Sequence, residues 1–219
     1  MSPKPNLSRR TILLGALASA LPNIALSGTN KIELLSGNGI IRELKNGRFE
    51  ILNNSEHSIA RVGKNAFLVS PDTELNFEIE DGANGLLLRA MQLLSGAVHS
   101  AFNPNQSEMR ELSVEGVVIG IRGTAHYVEI ERDLERVYSC CCYGNIDVRS
   151  NVSGKSYTQK TSYHEARVIT SKGEIETAPY SVPLNHYDNT LVKLEGFVGR
   201  QPKWTLPNDK LNFISPFDI

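Results

Sequence analysis

From Lys31 to Val152 the chain is written in short runs of β-branched and apolar residues, recurring about every ten residues and closed by Gly, Asn, Asp or Pro. Arg48 to Leu52, Leu75 to Glu80, Ala125 to Glu131 and Val137 to Tyr143 are examples, with turn signals at Lys45-Asn46-Gly47, Pro71-Asp72 and Asp81-Gly82. That spacing restricts the chain to an all-β architecture: a sandwich, a roll or a short solenoid. Alternation is clear in Ala125 to Ile130, where Tyr127 and Glu129 oppose His126, Val128 and Ile130. Leu86 to Leu94 can be read as a helix, but Gly85 and Gly96 bracket it and favour a strand.

The pattern changes after Val152. Asn151 to Tyr157 is polar and reads as a loop, and Ala166 to Glu176 reads as one hairpin turning at Lys172-Gly173. One short C-terminal α-helix is expected over 188–198. Asp188 is placed as its N-cap, with Leu191, Leu194 and Val198 on one face and Gly199 and Pro202 where helices end. The tail to Ile219 is expected to be extended. The organisation read from sequence is a signal segment over 1–27, a β-domain over 28–152 and a C-terminal extension over 153–219.

Residues 1–27 have the layout of an export signal: Lys4, Arg9 and Arg10 without an acid, then an apolar stretch from Thr11 to Leu21, then small residues at Ala25 and Ser27. Ser8-Arg9-Arg10, with Ile12 and Leu13 after it, resembles the twin-arginine signal, whose substrates cross already folded. The expected location is the periplasm. Without this segment the chain carries 20 basic against 24 acidic side chains, a charge of −4, which argues against nucleic acid as a partner. No apolar run reaches the roughly 18 residues of a spanning helix, so no stable membrane span is expected in the mature form.

Leu93-Leu94-Ser95-Gly96-Ala97-Val98 and Val118-Ile119-Gly120-Ile121-Arg122-Gly123-Thr124-Ala125 resemble the core of the FecR domain, as does Ala66 to Leu75 upstream. The match covers about residues 58–150. Arg122-Gly123-Thr124 is its most distinctive step: glycine permits a bend there, and threonine suits re-entry into a strand. Cys140-Cys141-Cys142-Tyr143-Gly144, His164-Glu165-Ala166-Arg167, and His186-Tyr187-Asp188 continuing through Leu191, Leu194, Glu195, Val198, Gly199, Arg200 and Pro202 resemble an exported, twin-arginine subgroup of that family. The chain departs from the subgroup in its middle cysteine and in ending the last motif with Lys203-Trp204. The resemblance implies a binding or sensory module with another envelope protein as partner. The founding members signal across the membrane through a span that this pattern lacks.

The three cysteines are consecutive. On a strand Cys140 and Cys142 share one face, about 6.6 Å apart at Cα, and Cys141 faces the other way. That separation suits two thiolates on one metal, each about 2.3 Å from it, and lies at the edge of disulfide geometry. His164 and His186 could complete a Cys2His2 site for zinc, iron or copper, with Asp188 or Glu195 orienting a ligand. The spacing matches no standard zinc finger, so a disulfide and plain buried thiols remain open. His57, His99 and His126 read as structural or solvated, and Arg122 as one half of an ion pair. Glu195 and Arg200 can equally bridge the helix to the β-domain. No nucleophile elbow, phosphate loop or metalloprotease motif is present. A binding or sensory role is therefore expected ahead of a thiol redox or metal-dependent enzyme, or a structural envelope protein.

Overall fold

The computed structural model describes residues 31–83, 85–104, 110–180 and 182–203. The signal segment with Arg9 and Arg10, and the tail beyond Lys203, lie outside the described residues. Fourteen strands and one helix follow in order: β1 (Glu33–Ser36), β2 (Ile40–Glu43), β3 (Arg48–Asn53), β4 (Ser58–Val62), β5 (Asn65–Val69), β6 (Thr73–Gly82) and β7 (Gly85–Ser95). Then come β8 (Ala97–Ala101), β9 (Arg110–Val114), β10 (Val117–Glu131), β11 (Arg136–Ser150), β12 (Ser156–Thr161), β13 (Glu165–Thr170), β14 (Ile175–Thr177) and α1 (Asp188–Phe197). The strands form one nearly closed, barrel-like sheet in the order β1-β4-β5-β8-β10-β9-β7-β6-β3-β2, with β11 on β10 and carrying β12 and β13. The all-β expectation with a single helix holds, and of the three architectures foreseen the rolled sheet is nearest.

Alternation explains which face each strand buries. Thr73, Leu75, Phe77 and Ile79 of β6 are buried, and the residues between them are partly or fully exposed. Leu75, Phe77 and Ile79 join Phe67, Val98, Ile119, Val128, Val137 and Cys141 in the larger of two apolar clusters. β5 and β8 are buried at every position, which requires cover on both faces. Their second face carries small residues, Ala66, Ala97 and Ala101, in the second cluster with Ala125, Cys140, Cys142, Leu191 and Leu194. With no bulk beyond Cβ, these alanines let α1 settle on β5 and β8. Leu191 and Leu194 face inward as the periodicity demands, Val198 packs beside them, and Gly199 ends the helix at φ +70°.

Two glycines are bends within continuous strands, Gly123 as its sequence step suggested and Gly144 where the sequence placed a boundary. β10 runs through Gly123, and β11 runs through Gly144. Over Val117 to Ile121, β10 pairs with β9; past Gly123, over Ala125 to Glu129, it pairs with β8. Gly123 has φ +59°, and a Cβ there would lie 2.7 Å from Pro104 Cα, so the changeover admits only glycine. β11 changes partner in parallel, from β13 at Arg136 to Cys141 to β12 at Gly144 to Arg149. Arg122 pairs with Asp147 across the bend, 3.3 Å apart.

The polar stretch after Asn151 is a loop only as far as Lys155; Ser156 to Thr161 forms β12, an edge strand whose Gln159 is buried. Its inward positions are polar, so hydrophobic periodicity gave no sign of it. The hairpin over Ala166 to Glu176 forms as β13 and β14, paired from Arg167↔Thr177 to Ile169↔Ile175.

Candidate metal centre

Cys140, Cys142, His164 and His186 come together between the second face of the sheet and the C-terminal segment, their four ligand atoms all within 4.8 Å of one another. Three chain segments supply them. The cysteines lie on β11 where it exchanges β13 for β12. The register on β10 passes from Ala125↔Tyr143 to His126↔Cys141, so Cys142 is the extra residue of a bulge. Cys140 and Cys142 face α1 and Cys141 enters the larger core, as strand alternation requires. His164 sits in the link from β12 to β13, and its backbone N–H donates to the Cys142 carbonyl at 2.9 Å. His186 sits in the approach to α1.

Each histidine is held through the ring nitrogen that does not face the sulfurs. His164 Nε2 donates to Asp188 Oδ1 at 2.9 Å, and Asp188 Oδ2 accepts from the Tyr163 hydroxyl at 2.8 Å. His164 Nδ1 is left 3.6 Å from Cys140 Sγ. His186 Nδ1 donates to the Leu184 carbonyl at 2.6 Å, which leaves Nε2 as the free face of the ring. That Nε2 is buried and has no hydrogen-bond partner among the described residues. A buried imidazole nitrogen with no hydrogen-bond partner, within 4.8 Å of two thiol sulfurs, is suited to act as a metal ligand. The His186 ring stacks on Tyr127, centroids 4.3 Å apart and planes 10° apart, and the Tyr127 hydroxyl donates to Glu129 at 2.8 Å. Glu129 also accepts from Asn185 Nδ2, fixing the residue next to His186.

Burial and neighbouring charges oppose each other here. Burial alone would raise the Cys140 thiol, but the hydrogen bond with Cys142 and the imidazoles of His186 and His164 outweigh it and hold Cys140 well below the usual thiol range. Burial, reinforced by the Cys140 thiolate, pushes Cys142 up. For His164 burial is outweighed by Asp188 and Cys140, which raise the imidazole to about 9. The Cys140 thiolate and the Asp188 carboxylate thus flank the His164 ring and favour its charged form.

Asp188 and Glu195 are both buried acids on α1, yet they do different things. Asp188 does not cap the helix: Tyr187 is the N-cap and Asp188 is the first helical residue, its carboxylate turned to His164 and Tyr163. Glu195 lies away from the ligands, contrary to the alternative that it orients one of them. Its carboxylate accepts from the Tyr143 hydroxyl and pairs with Arg200 at 2.6 Å. Arg200 reaches on to the Lys64 and Phe102 carbonyls at 2.9 and 3.2 Å. This group bridges helix to sheet, the other role open to it in sequence. His99, read as structural, lies in the middle of β8 with Nε2 3.5 Å from Cys142 Sγ and its ring against His186. Burial, with the neighbouring imidazoles adding to it, holds His99 neutral. A position 43 residues from Cys142 leaves no local signal of this contact.

No family model matches the chain, and no curated protein matches it. Two crystal structures of a protein described as a "putative anti-sigma factor" from Parabacteroides distasonis ATCC 8503 share part of the chain path. Their TM-scores are 0.49 and 0.47, at 12% identity in both cases. They cover 60% and 59% of this chain and 59% and 58% of their own, so the likeness spans about three-fifths of either protein. Among the described residues no helix is long and apolar enough to cross a membrane.

Proposed function

We propose that this is an exported bacterial envelope module of the FecR-domain type that holds one divalent zinc ion through Cys140, Cys142, His164 and His186, and that its role is binding or sensing. The observation that carries the metal is the convergence of four ligand atoms, with the second nitrogen of each histidine already engaged by Asp188 or by the Leu184 carbonyl. A donor set of two thiolates and two imidazoles suits zinc, and four protein ligands would close its coordination sphere, as in structural sites rather than catalytic ones. The ion would tie β11 to the link before β13 and to the segment entering α1. Metal loading would thereby complete the face on which the C-terminal segment lies.

The envelope location and the FecR-type reading are supported by sequence: Ser8-Arg9-Arg10 with its apolar segment, the Arg122-Gly123-Thr124 step and the three Cys/His motifs. A route that carries folded proteins suits a centre filled in the cytoplasm, before the thiols meet an oxidising compartment. The partner in this reading is another envelope protein.

Elemental analysis of the mature protein purified from the periplasm, with a free-thiol count, tests the proposal. About one equivalent of zinc is expected, lost in Cys140→Ser and in His164→Ala. A metal-free protein with three free thiols, or with a disulfide and one, would overturn it. Iron or copper in place of zinc would overturn the metal's identity and keep the site.

A further inference from the structure

We infer that His99 is a positioning residue of this centre, donating its Nε2–H to the Cys142 sulfur and so setting the charge that this thiolate presents to the metal. The inference rests on the metal-binding reading and adds a residue outside the four ligands.

His99 is placed by the sheet. It is in register with Leu68 on one side and Tyr127 on the other, at the centre of a strand buried along its whole length. Its ring is 1% exposed and meets the His186 ring edge-on at 5.2 Å and the Tyr127 ring at 5.9 Å. Two polar atoms must be accounted for. Nε2 lies 3.5 Å from Cys142 Sγ, and Nδ1 is buried with no hydrogen-bond partner among the described residues. A neutral imidazole carries one proton. On Nδ1 it would be a buried donor with nothing to receive it, the costlier kind of orphan. On Nε2 it points at the sulfur, and a metal-bound thiolate has lone pairs to accept it. The bulge that turns Cys142 out of register aims its sulfur at this donor, while Cys140 has His164 on its own sulfur. The two thiolates are therefore unlike: one is neighboured by a ligand imidazole, the other by an imidazole that donates.

A hydrogen bond to a thiolate withdraws electron density from sulfur. It moves the sulfur-to-metal charge-transfer band to higher energy and makes the thiolate a poorer nucleophile. Cobalt(II) reports this, since it takes tetrahedral thiolate–imidazole sites and absorbs where zinc does not. The test uses the mature, full-length protein loaded with cobalt. His99→Phe keeps an aromatic ring against His186 and Tyr127 and removes the donor; His99→Gln restores an N–H. In His99→Phe the charge-transfer band is expected to move to lower energy, with His99→Gln returning it toward wild type. A His99→Phe protein that takes one equivalent of cobalt with an unmoved band overturns the inference and leaves the metal centre standing. A wild-type protein that binds no cobalt overturns the centre itself. Should His99→Phe not fold, the wild-type protein loaded with cadmium-113 gives the same answer. A His99 Nε2–H resonance coupled to cadmium through the sulfur is expected, and a proton found on Nδ1 instead refutes it.

Discussion

Replacing Asp188 with Asn separates the metal centre from the helix that brings it together. Asp188 is 2% exposed and accepts two hydrogen bonds, from His164 Nε2 and the Tyr163 hydroxyl. Asn keeps the shape and one acceptor and removes the charge. A hydrogen bond to a charged group is worth about 1.5–3 kcal/mol net, and a neutral one about 0.5–1.5. The bond to His164 therefore weakens by roughly 1–1.5 kcal/mol, close to the 1.4 kcal/mol that makes a factor of ten. Loss of ligand basicity acts in the same direction. Zinc affinity should fall about 10–100-fold, the range for the outer partner of a ligand histidine. Competition against a chromophoric chelator at fixed pH measures it directly. Glu195→Gln is the control: an equally buried acid on the same helix whose partners are Tyr143 and Arg200. It should cost about 2–3 kcal/mol of stability in urea, through the weakened pair with Arg200, and leave zinc affinity within about threefold. If Asp188→Asn binds zinc as wild type does, or if Glu195→Gln weakens zinc equally, the acids act only by docking the helix and the assignment of Asp188 to His164 is wrong.

Three further outcomes are expected. Gly123→Ala forces a Cβ to 2.7 Å from Pro104 Cα at positive φ, and should lower stability by more than about 1 kcal/mol in urea denaturation; an unchanged midpoint would remove the bend from the fold's requirements. Zinc loading near pH 7 should release about two protons, one from the raised Cys142 thiol and one from His164, raised to about 9. Because both groups hold protons near pH 7 and the bound ligands hold none, affinity should climb as pH rises toward the His164 value of about 9. Calorimetry in buffers of different ionisation enthalpy counts the protons, and a count of zero contradicts the scheme. Cys141→Ala should retain the full metal content, since Cys141 packs in the larger cluster, whereas Cys142→Ala should not; equal loss in both would mean the strand does not present its cysteines alternately.

Local pattern was enough for the strands, for the helix face of Leu191 and Leu194, and for the division of the cysteines, because each follows from a period of two or 3.6. It was not enough where a residue's meaning lies across the sheet. Gly123 read as a bend, but Gly144 read as the boundary between two segments, and only the exchange of β13 for β12 shows it as a bend within one long strand, matched to the exchange of β9 for β8 at Gly123. β12 was missed because its buried Gln159 donates to the Glu165 carbonyl instead of packing as an apolar residue would. Asp188 carries a helix-start signal whichever way its carboxylate points, and its partner is 24 residues away. His99 carried no signal at all.

The connections that position the candidate centre explain why its ligands are so dispersed in sequence. Cys140 and Cys142 belong to β11, which β10 fixes by one of the longest ladders in the sheet, from Val117↔Ser150 to Glu131↔Arg136. His164 is fixed next, by the chain's return from β12 to β13 over the same strand and by its backbone bond to Cys142. His186 belongs to a segment that adds no strand to the sheet. That segment is held by Leu184 N–H on the Tyr138 hydroxyl, by Asn185 on Glu129 and by the apolar face of α1. The sheet thus presents three of the four donors, and the C-terminal segment presents the fourth together with the acid that orients His164. An ion bound by all four must stabilise the docked segment by its differential affinity for the complete set over the three donors of the sheet. Docking of α1 and occupancy of the centre would then be linked equilibria, and zinc affinity stays insensitive to the Glu195–Arg200 bridge as long as the remaining contacts keep the segment docked without metal.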